Sequence, residues 1–339
     1  MADRAAALPF AELALASPGP IGVAAIYGAA IAAALAWRWW GARRDALAGR
    51  RPGAGRRRGA LAAVACVALA AGLAHASRPP QPPRDLTISF LDIGQGDATL
   101  IQHGAATVLV DTGPPEGPIL DRLRAAGVRR LDVLVLTHAA LDHDGAAAAV
   151  LDAFTVGLVV DGEEAGAAPV SGPFGARAGA SVAQLAARRR LRRIASDAGQ
   201  VLRAGPIELR VLWPHREPAA PPGAEPNDRA TVLHVRDGAF DLLLTADAES
   251  NVTAGLSLPV VEALKVAHHG SDDPGLPDLL ERLRPKIAVI EVGAHNTYGH
   301  PTPATLAALR TVPIVRRTDR DGMVRVRVRD GRMRVQSAT

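Results

Sequence analysis

Val135-Leu136-Thr137-His138-Ala139-Ala140-Leu141-Asp142-His143 carries a hydrophobic strand straight into a loop with three donor side chains, His138, Asp142 and His143. Imidazole and carboxylate groups a few residues apart at a strand end can converge on one divalent cation, and the strand fixes where they point. Ala140, in the middle of the loop, has no donor atom.

The same arrangement recurs on both sides of this stretch. Upstream, Thr107 to Val110 reads as a strand ending in Asp111-Thr112-Gly113, which taken alone is an ordinary turn. Downstream, Leu243-Leu244-Thr245-Ala246-Asp247 closes another apolar strand with a carboxylate, and Leu264-Lys265-Val266-Ala267 runs into His268-His269-Gly270-Ser271. Any one such cluster is commonly a solvated loop. Several in series supply what a two-metal site needs: imidazoles to anchor the cations and a carboxylate to bridge them.

Between these ends the pattern alternates. Strands are expected at Thr87–Leu91, Ala98–Gln102, Leu131–Leu136, Ile207–Leu212, Thr231–Val235 and Asp241–Thr245. Helices are expected at Ile119–Ala126, stopped by Gly127, and at Val182–Ala195, while the Ala/Gly-rich segment Ala165–Ala180 reads as a loop. Strands and helices in turn, with polar clusters at strand ends, indicate a layered α/β domain.

The 339 residues are enough for one large domain or two modest ones, and 48% hydrophobic content supports a sizeable core. Aromatic residues make up 3%, so Ala, Val and Leu must do most of the packing. The net charge of +5 favours polyanions or lipid headgroups without choosing between them. The single cysteine, Cys66, excludes an intrachain disulfide.

The amino-terminal part differs in texture. Residues 1–77 form a membrane region with apolar runs at about 21–37 and 59–75, each near the roughly 17 residues of a short transmembrane helix. Trp37, Trp39 and Trp40 suit an interfacial belt. The intervening loop, residues 38–58, carries eight arginines against Asp45 alone, which assigns it to the cytoplasm. A Pro-rich linker, residues 78–85, then leads to a domain spanning 86–339, expected outside the cytoplasm as part of a multi-pass protein of the cell membrane.

The series Phe90-Leu91-Asp92-Ile93-Gly94-Gln95-Gly96-Asp97-Ala98, Asp111-Thr112-Gly113, the Thr137–His143 loop, Asp247 and His268-His269-Gly270-Ser271 resembles the metallo-β-lactamase-like domain of the ComEC family of DNA-uptake channel proteins. Asn296-Thr297-Tyr298-Gly299-His300-Pro301 and Arg317-Thr318-Asp319-Arg320-Asp321-Gly322 continue the likeness. The apolar region resembles the tail of that family's channel domain, with its last two helices, so the chain is expected to be a fragment or a shortened relative.

The resemblance implies a four-layer αββα sandwich with a metal site at one edge, holding one or two divalent ions, Zn or Mn. It assigns His138 to a first metal, Asp142, His143 and one of His268 or His269 to a second, and Asp247 to a bridge. Ala140, Ala230 and Ala246 depart from the family pattern, and the first site is the poorer one. His215 and Asn227 are candidates for its missing ligand. The implied reaction is hydrolysis of a phosphodiester, with single-stranded DNA as substrate and the bilayer and channel or DNA-uptake proteins as partners. Asp142 and Asp247 serve the chemistry, Lys265 and His300 would meet phosphate or the leaving oxygen, and Ser271 and Asn227 would flank substrate. A small phosphodiester substrate and a non-catalytic DNA-binding or structural role remain as alternatives.

Two arginine groups suit a phosphate backbone. One is Arg188-Arg189-Arg190 with Arg192 and Arg193 at a helix end; the other is Arg325, Arg327 and Arg329, which share one face of a strand.

Overall fold

The computed structural model describes residues 37, 39–41, 43–44, 47, 80–162, 181–215 and 225–338. The chain divides into two units, Met1–Pro79 and Pro80–Thr339. In the first, the described residues are helical and exposed, with the Arg43 guanidinium 4.8 Å over the Trp39 ring. Among the described residues no helix is long and apolar enough to cross a membrane. The apolar runs at 21–37 and 59–75 lie outside the described residues except for Trp37, as does the Ala165–Ala180 segment.

The second unit is built on two sheets. The first orders its strands β15-β14-β1-β2-β3-β4-β5-β6. These are β1 Leu86–Phe90, β2 Thr99–His103, β3 Ala106–Val110, β4 Arg130–Leu136, β5 Thr155–Asp161, β6 Arg193–Ala195, β14 Met323–Arg329 and β15 Arg332–Ala338. The second orders them β13-β12-β11-β10-β9-β8-β7, with β7 Val201–Ala204, β8 Ile207–Trp213, β9 Val232–Asp237, β10 Phe240–Leu244, β11 Ala263–Lys265, β12 Ile287–Ile290 and β13 Ile314–Arg317.

Alternation along the strands makes the layers. Ile88, Phe90, Val108, Val110, Val133 and Val135 of the first sheet meet Leu242, Leu244, Ile287 and Val289 of the second in one buried core. The opposite faces carry Leu100, Leu109 and Leu134, covered by helices Ile119–Ala125 and Ala147–Ala153. On the second sheet Leu243, Ala288 and Ile290 are covered by helix Leu276–Leu283 through Leu276, Leu279, Leu280 and Leu283. The result is an α/β sandwich with two inner sheets and helices outside each.

One expected element is wrong. The helix expected over Val182–Ala195 ends at Arg188, and Arg193–Ala195 is strand β6, paired parallel to β5. Arg190 takes a left-handed φ of 54°, which ends the helix and lets Ile194 pack on the inner core.

Candidate metal centre

Phe90 at the end of β1 delivers the chain into a loop that brings Asp97 beneath Asp142. The Asp97 amide donates to the Asp142 carbonyl at 3.0 Å. Gly96 makes this approach possible: its φ is +136°, and a Cβ there would lie 2.1 Å from the Asp142 carbonyl oxygen.

Asp111, at the end of β3, holds the neighbouring loop. Its carboxylate accepts from the Thr137 amide and the Thr137 hydroxyl, each at 2.8 Å, and from His143 Nδ1 at 2.9 Å. Because the Thr137 proton goes to Asp111, Thr137 Oγ1 accepts from His138 Nδ1 at 3.1 Å. His269 Nδ1 donates to the Glu291 carbonyl at 2.8 Å, and His268 Nδ1 to the Glu249 carboxylate at 2.8 Å. Every one of these imidazoles is tied at Nδ1, which leaves the Nε2 lone pair turned toward the others, as metal-ligating histidines require.

The donors converge. Among the described residues, one ligand atom each from Asp142, His143, Asp247 and His269 fall within 4.8 Å of one another. His143 Nε2 is 3.1 Å from Asp247 Oδ1, and His269 Nε2 is 3.2 Å from Asp142 Oδ2. Asp247 Oδ2 lies 3.9 Å from the Nε2 atoms of His138, His268 and His269. His138 Nε2 is buried with no hydrogen-bond partner, and His143 Nε2 and Asp247 Oδ1, buried and close, face each other without an aligned hydrogen bond. Orphaned buried lone pairs around a common centre fit a divalent cation. The adjacent histidines part company: His269 stands with Asp142 and His143, whereas His268 Nε2 sits 3.2 Å from Asn227 Nδ2.

The pocket is rich in negative charge. Burial would push the His143 and His269 imidazoles down, but Asp247 and Asp97 outweigh it. His143 is held well above its ordinary value and His269 is pushed up to about 10. His138, dominated by burial and by the neighbouring His143, falls to about 3 and is neutral. Burial opposes ionisation of Asp247, yet His143 and His269 keep its carboxyl well below the usual range. The protons on His143 and His269 occupy places that a cation would take, so binding metal releases them.

Several expected roles change. Lys265 is buried rather than exposed to substrate: its ammonium contacts the Asp97 carboxylate, donates to the Ala246 carbonyl at 2.9 Å and lies 3.9 Å from Asp247. It is a countercharge under the site. Ser271 is also turned away, its hydroxyl donating to Glu249. The cleft of about 740 Å³ above the donors is lined by Asn227, His268, His269, Asp142, Asp247 and His300 among others, but by none of Arg188, Arg189, Arg190 or His215. Arg189 pairs with Asp152 and Arg193 with Asp161 at 2.7 Å, so that arginine group is partly neutralised by its own fold. Ala140 lines the cleft and contributes no donor.

Asp97, Glu249 and Glu291 were missed as site residues. Glu291 follows the apolar Ile287–Ile290, the same strand-to-acid signal that marks Asp111 and Asp247. Its buried carboxylate accepts from the Ala98 amide at 3.2 Å and from the Thr99 hydroxyl at 2.8 Å.

The metallo-beta-lactamase superfamily profile matches residues 91–295. ComE operon protein 3 of Bacillus subtilis is 30% identical over 72% of this chain and 33% of its own length. Competence protein ComA of Neisseria gonorrhoeae is 28% identical over 80% of this chain and 36% of its own. The chain spans about a third of the length of the curated relatives it matches. In fold, the metal-dependent hydrolase Tm1679 aligns with 72% of this chain and 100% of its own at 15% identity, with a TM-score of 0.49. The chain therefore belongs to the metallo-beta-lactamase superfamily, in which its domain is similar to that of the ComEC-type competence proteins.

Proposed function

We propose that this chain is a membrane-anchored, metal-dependent phosphodiesterase that cleaves DNA, with its hydrolase domain outside the cytoplasm. The observation that carries this reading is the convergence of Asp142, His143, Asp247 and His269 around orphaned buried lone pairs at the floor of an open cleft. The competence proteins among the relatives support DNA as the substrate. The apolar runs at 21–37 and 59–75 and the arginine-rich loop between them support the anchor and the side of the membrane.

A divalent cation, when bound, supplies positive charge for the phosphoryl oxygens and acidifies water. Asp142, His143, Asp247 and His269 would hold one ion; His138, Asp247 and His268 would hold a second, Zn or Mn in either case. Asp111 and Thr137 orient His143 and His138, the Glu291 carbonyl orients His269, and Glu249 orients His268.

Among the described residues no lysine or arginine lines the cleft, so a bound divalent cation would supply positive charge there for the phosphodiester. His300 stands at its edge, its ring 5.6 Å from that of His268. Asn296 fixes the backbone there, accepting from the His300 amide at 3.1 Å and donating to the His300 carbonyl at 2.8 Å. Burial and the nearby His268 and His269 hold the His300 imidazole below its ordinary value, hence neutral near pH 7 and able to take up a proton or to give a hydrogen bond to a phosphate oxygen.

The test is cleavage of single-stranded DNA by the full chain in detergent with added Mn or Zn. Turnover is expected, abolished in Asp142→Ala and His143→Ala. His300→Ala is expected to lose roughly a hundredfold or more in rate while keeping its metal. Turnover of a bis-aryl phosphate without any DNA cleavage would assign a small phosphodiester instead. A metal-replete chain that cleaves neither substrate would contradict the proposal and mark Ala140 as the sign of a non-catalytic domain.

A further inference from the structure

The two arginine groups legible in the sequence have different fates in the fold. The group near Arg188 is spent partly on ion pairs with Asp152 and Asp161. The other gains members. In the β14–β15 hairpin Arg327 lies directly opposite Arg334, and Arg329 opposite Arg332, with Arg325 opposite Gln336. The inward face of the same strands, Val324 and Val326 with Val328, Met333 and Val335, packs on the core between the sheets. The arginines therefore share the outer face, where Arg327, Arg329, Arg332 and Arg334 are exposed.

Like charges directly across a sheet destabilise it, and little offsets them here. Among the described residues Arg327, Arg332 and Arg334 form no ion pair, and Arg329 has only an exposed contact of 3.7 Å to Asp330. Arg325 lies partly buried, its acidity raised by burial and by the charge of Arg327. Charged edge strands resist unwanted pairing, which accounts for Arg332 and Arg334 on β15. It does not account for Arg327 and Arg329, because β14 is paired on both sides, with β1 and β15.

The four side chains, with Asp85, Asp330 and Gln336, line a concavity of about 340 Å³ that shares no residue with the metal cleft. Its position follows from the register. β1 runs antiparallel to β2 and β2 to β3, so Phe90 and Asp111 lie at the cleft end of the sheet. Val328 pairs with Leu86 at the other end. Cationic rows are spaced about 7 Å along each strand and about 5 Å across the pair.

We propose that this outer face of the β14–β15 hairpin binds the phosphodiester backbone of a polynucleotide, at a site separate from the metal cleft. The identity of the ligand rests on the reading of the cleft as a DNA phosphodiesterase; the site itself does not. Among the described residues no aromatic side chain lines it, so it grips phosphates without reading or stacking bases. No large exposed apolar residue belongs to it either, whereas segments that dock on bilayers normally insert one. The complementary ligand is a soluble polyanion. Among the described residues no lysine or arginine lines the cleft, and this face supplies the hold that keeps a long substrate on the protein between cleavages.

The test measures binding in excess EDTA, where no turnover occurs, with the full chain in zwitterionic micelles and a labelled oligothymidine of about 16 nucleotides. The quadruple variant Arg327→Gln, Arg329→Gln, Arg332→Gln and Arg334→Gln is expected to bind roughly tenfold or more weakly at low salt. Its plot of log affinity against log salt is expected to flatten by about 3, at about 0.7 per phosphate contact on a single strand. The corresponding quadruple lysine variant is expected to retain binding. The glutamine variant is expected to melt no lower than the wild type, because repulsive pairs are removed, which excludes misfolding as the cause. Unchanged affinity and slope would overturn the proposal, as would an equal loss in an Arg188→Gln, Arg190→Gln double variant. If phosphatidylglycerol in the micelles erased the difference between wild type and the glutamine variant, the face would belong to an acidic bilayer, also overturning it. Because nothing is hydrolysed, failure of the cleft chemistry leaves this result readable.

Discussion

Ala246, Asp111, His268 and His269 all hold left-handed backbone, with φ between 47° and 59°, and all four border the metal centre. For an L residue that conformation costs about 1–2 kcal/mol. Ala246 stands immediately before Asp247, where the family pattern has glycine. Ala246→Gly relieves the strain but adds freedom to the unfolded chain, and a net gain of about 0.5–1 kcal/mol is expected from urea unfolding. A loss would contradict the assignment of strain. Lys265 supplies the opposite case: Lys265→Met leaves Asp97 and Asp247 without their buried countercharge. The metal-free protein is then expected to lose about 3–5 kcal/mol. Glu291 gives a pH signature. Burial first, then Asp97, raises its carboxyl from 4.5 to about 8. The folded state therefore holds a proton that the unfolded chain gives up, and stability from this group falls as pH rises through that interval. Glu291→Gln is expected to match wild type near pH 4.5 and to exceed it increasingly up to pH 8; a parallel pH profile would contradict this. At this scale the sequence was informative where an apolar strand ran into a donor at Asp111, His138 and Asp247, and Glu291 after Ile287–Ile290 carried the same signal unread. The sequence marked Asp97 as part of a motif without a role and was silent on Glu249; their contacts with Lys265 and His268 join residues far apart or turned by the fold.

Strand ends and turns decide which donors meet. The apolar runs around Val108, Leu109 and Val110, and around Leu242, Leu243 and Leu244, foretold both strands within a residue or so; the fold shows both faces of each to be buried. The segment after Ser181 was misread because Arg188 to Arg193 has helical propensity; pairing with β5 and the left-handed Arg190 override it. The division of His268 from His269 was likewise illegible, since adjacent residues separate only through the paired left-handed turn. The loop after β1 is the most demanding element. Gly96→Ala places a methyl group against the Asp142 carbonyl, and the variant is expected to lose about 1–3 kcal/mol of stability. Its metal affinity is expected to fall by about 10–100-fold, measured by competition with a chelator. Unchanged affinity would show that this loop does not position Asp142.

For the domain as a whole, the two sheets bring the ends of β4, β10 and β11 to one edge, so an ion held there ties both halves of the sandwich together. At about a hundredfold excess over its dissociation constant, a bound ion adds about 2.7 kcal/mol. Chelation is therefore expected to lower the melting temperature of the domain by roughly 5–10 °C. The layered architecture was legible from strand-helix alternation, and its metallo-β-lactamase character from the motif series. The expected membrane spans fall outside the described residues. Whether this edge of the sandwich holds metal is decided by elemental analysis of the purified full chain, alongside His269→Ala and His300→Ala. At least one divalent ion per chain is expected, retained in His300→Ala and lost or sharply reduced in His269→Ala. A wild-type chain that holds no stoichiometric metal after loading, or a His269→Ala variant that holds as much as wild type, would contradict it.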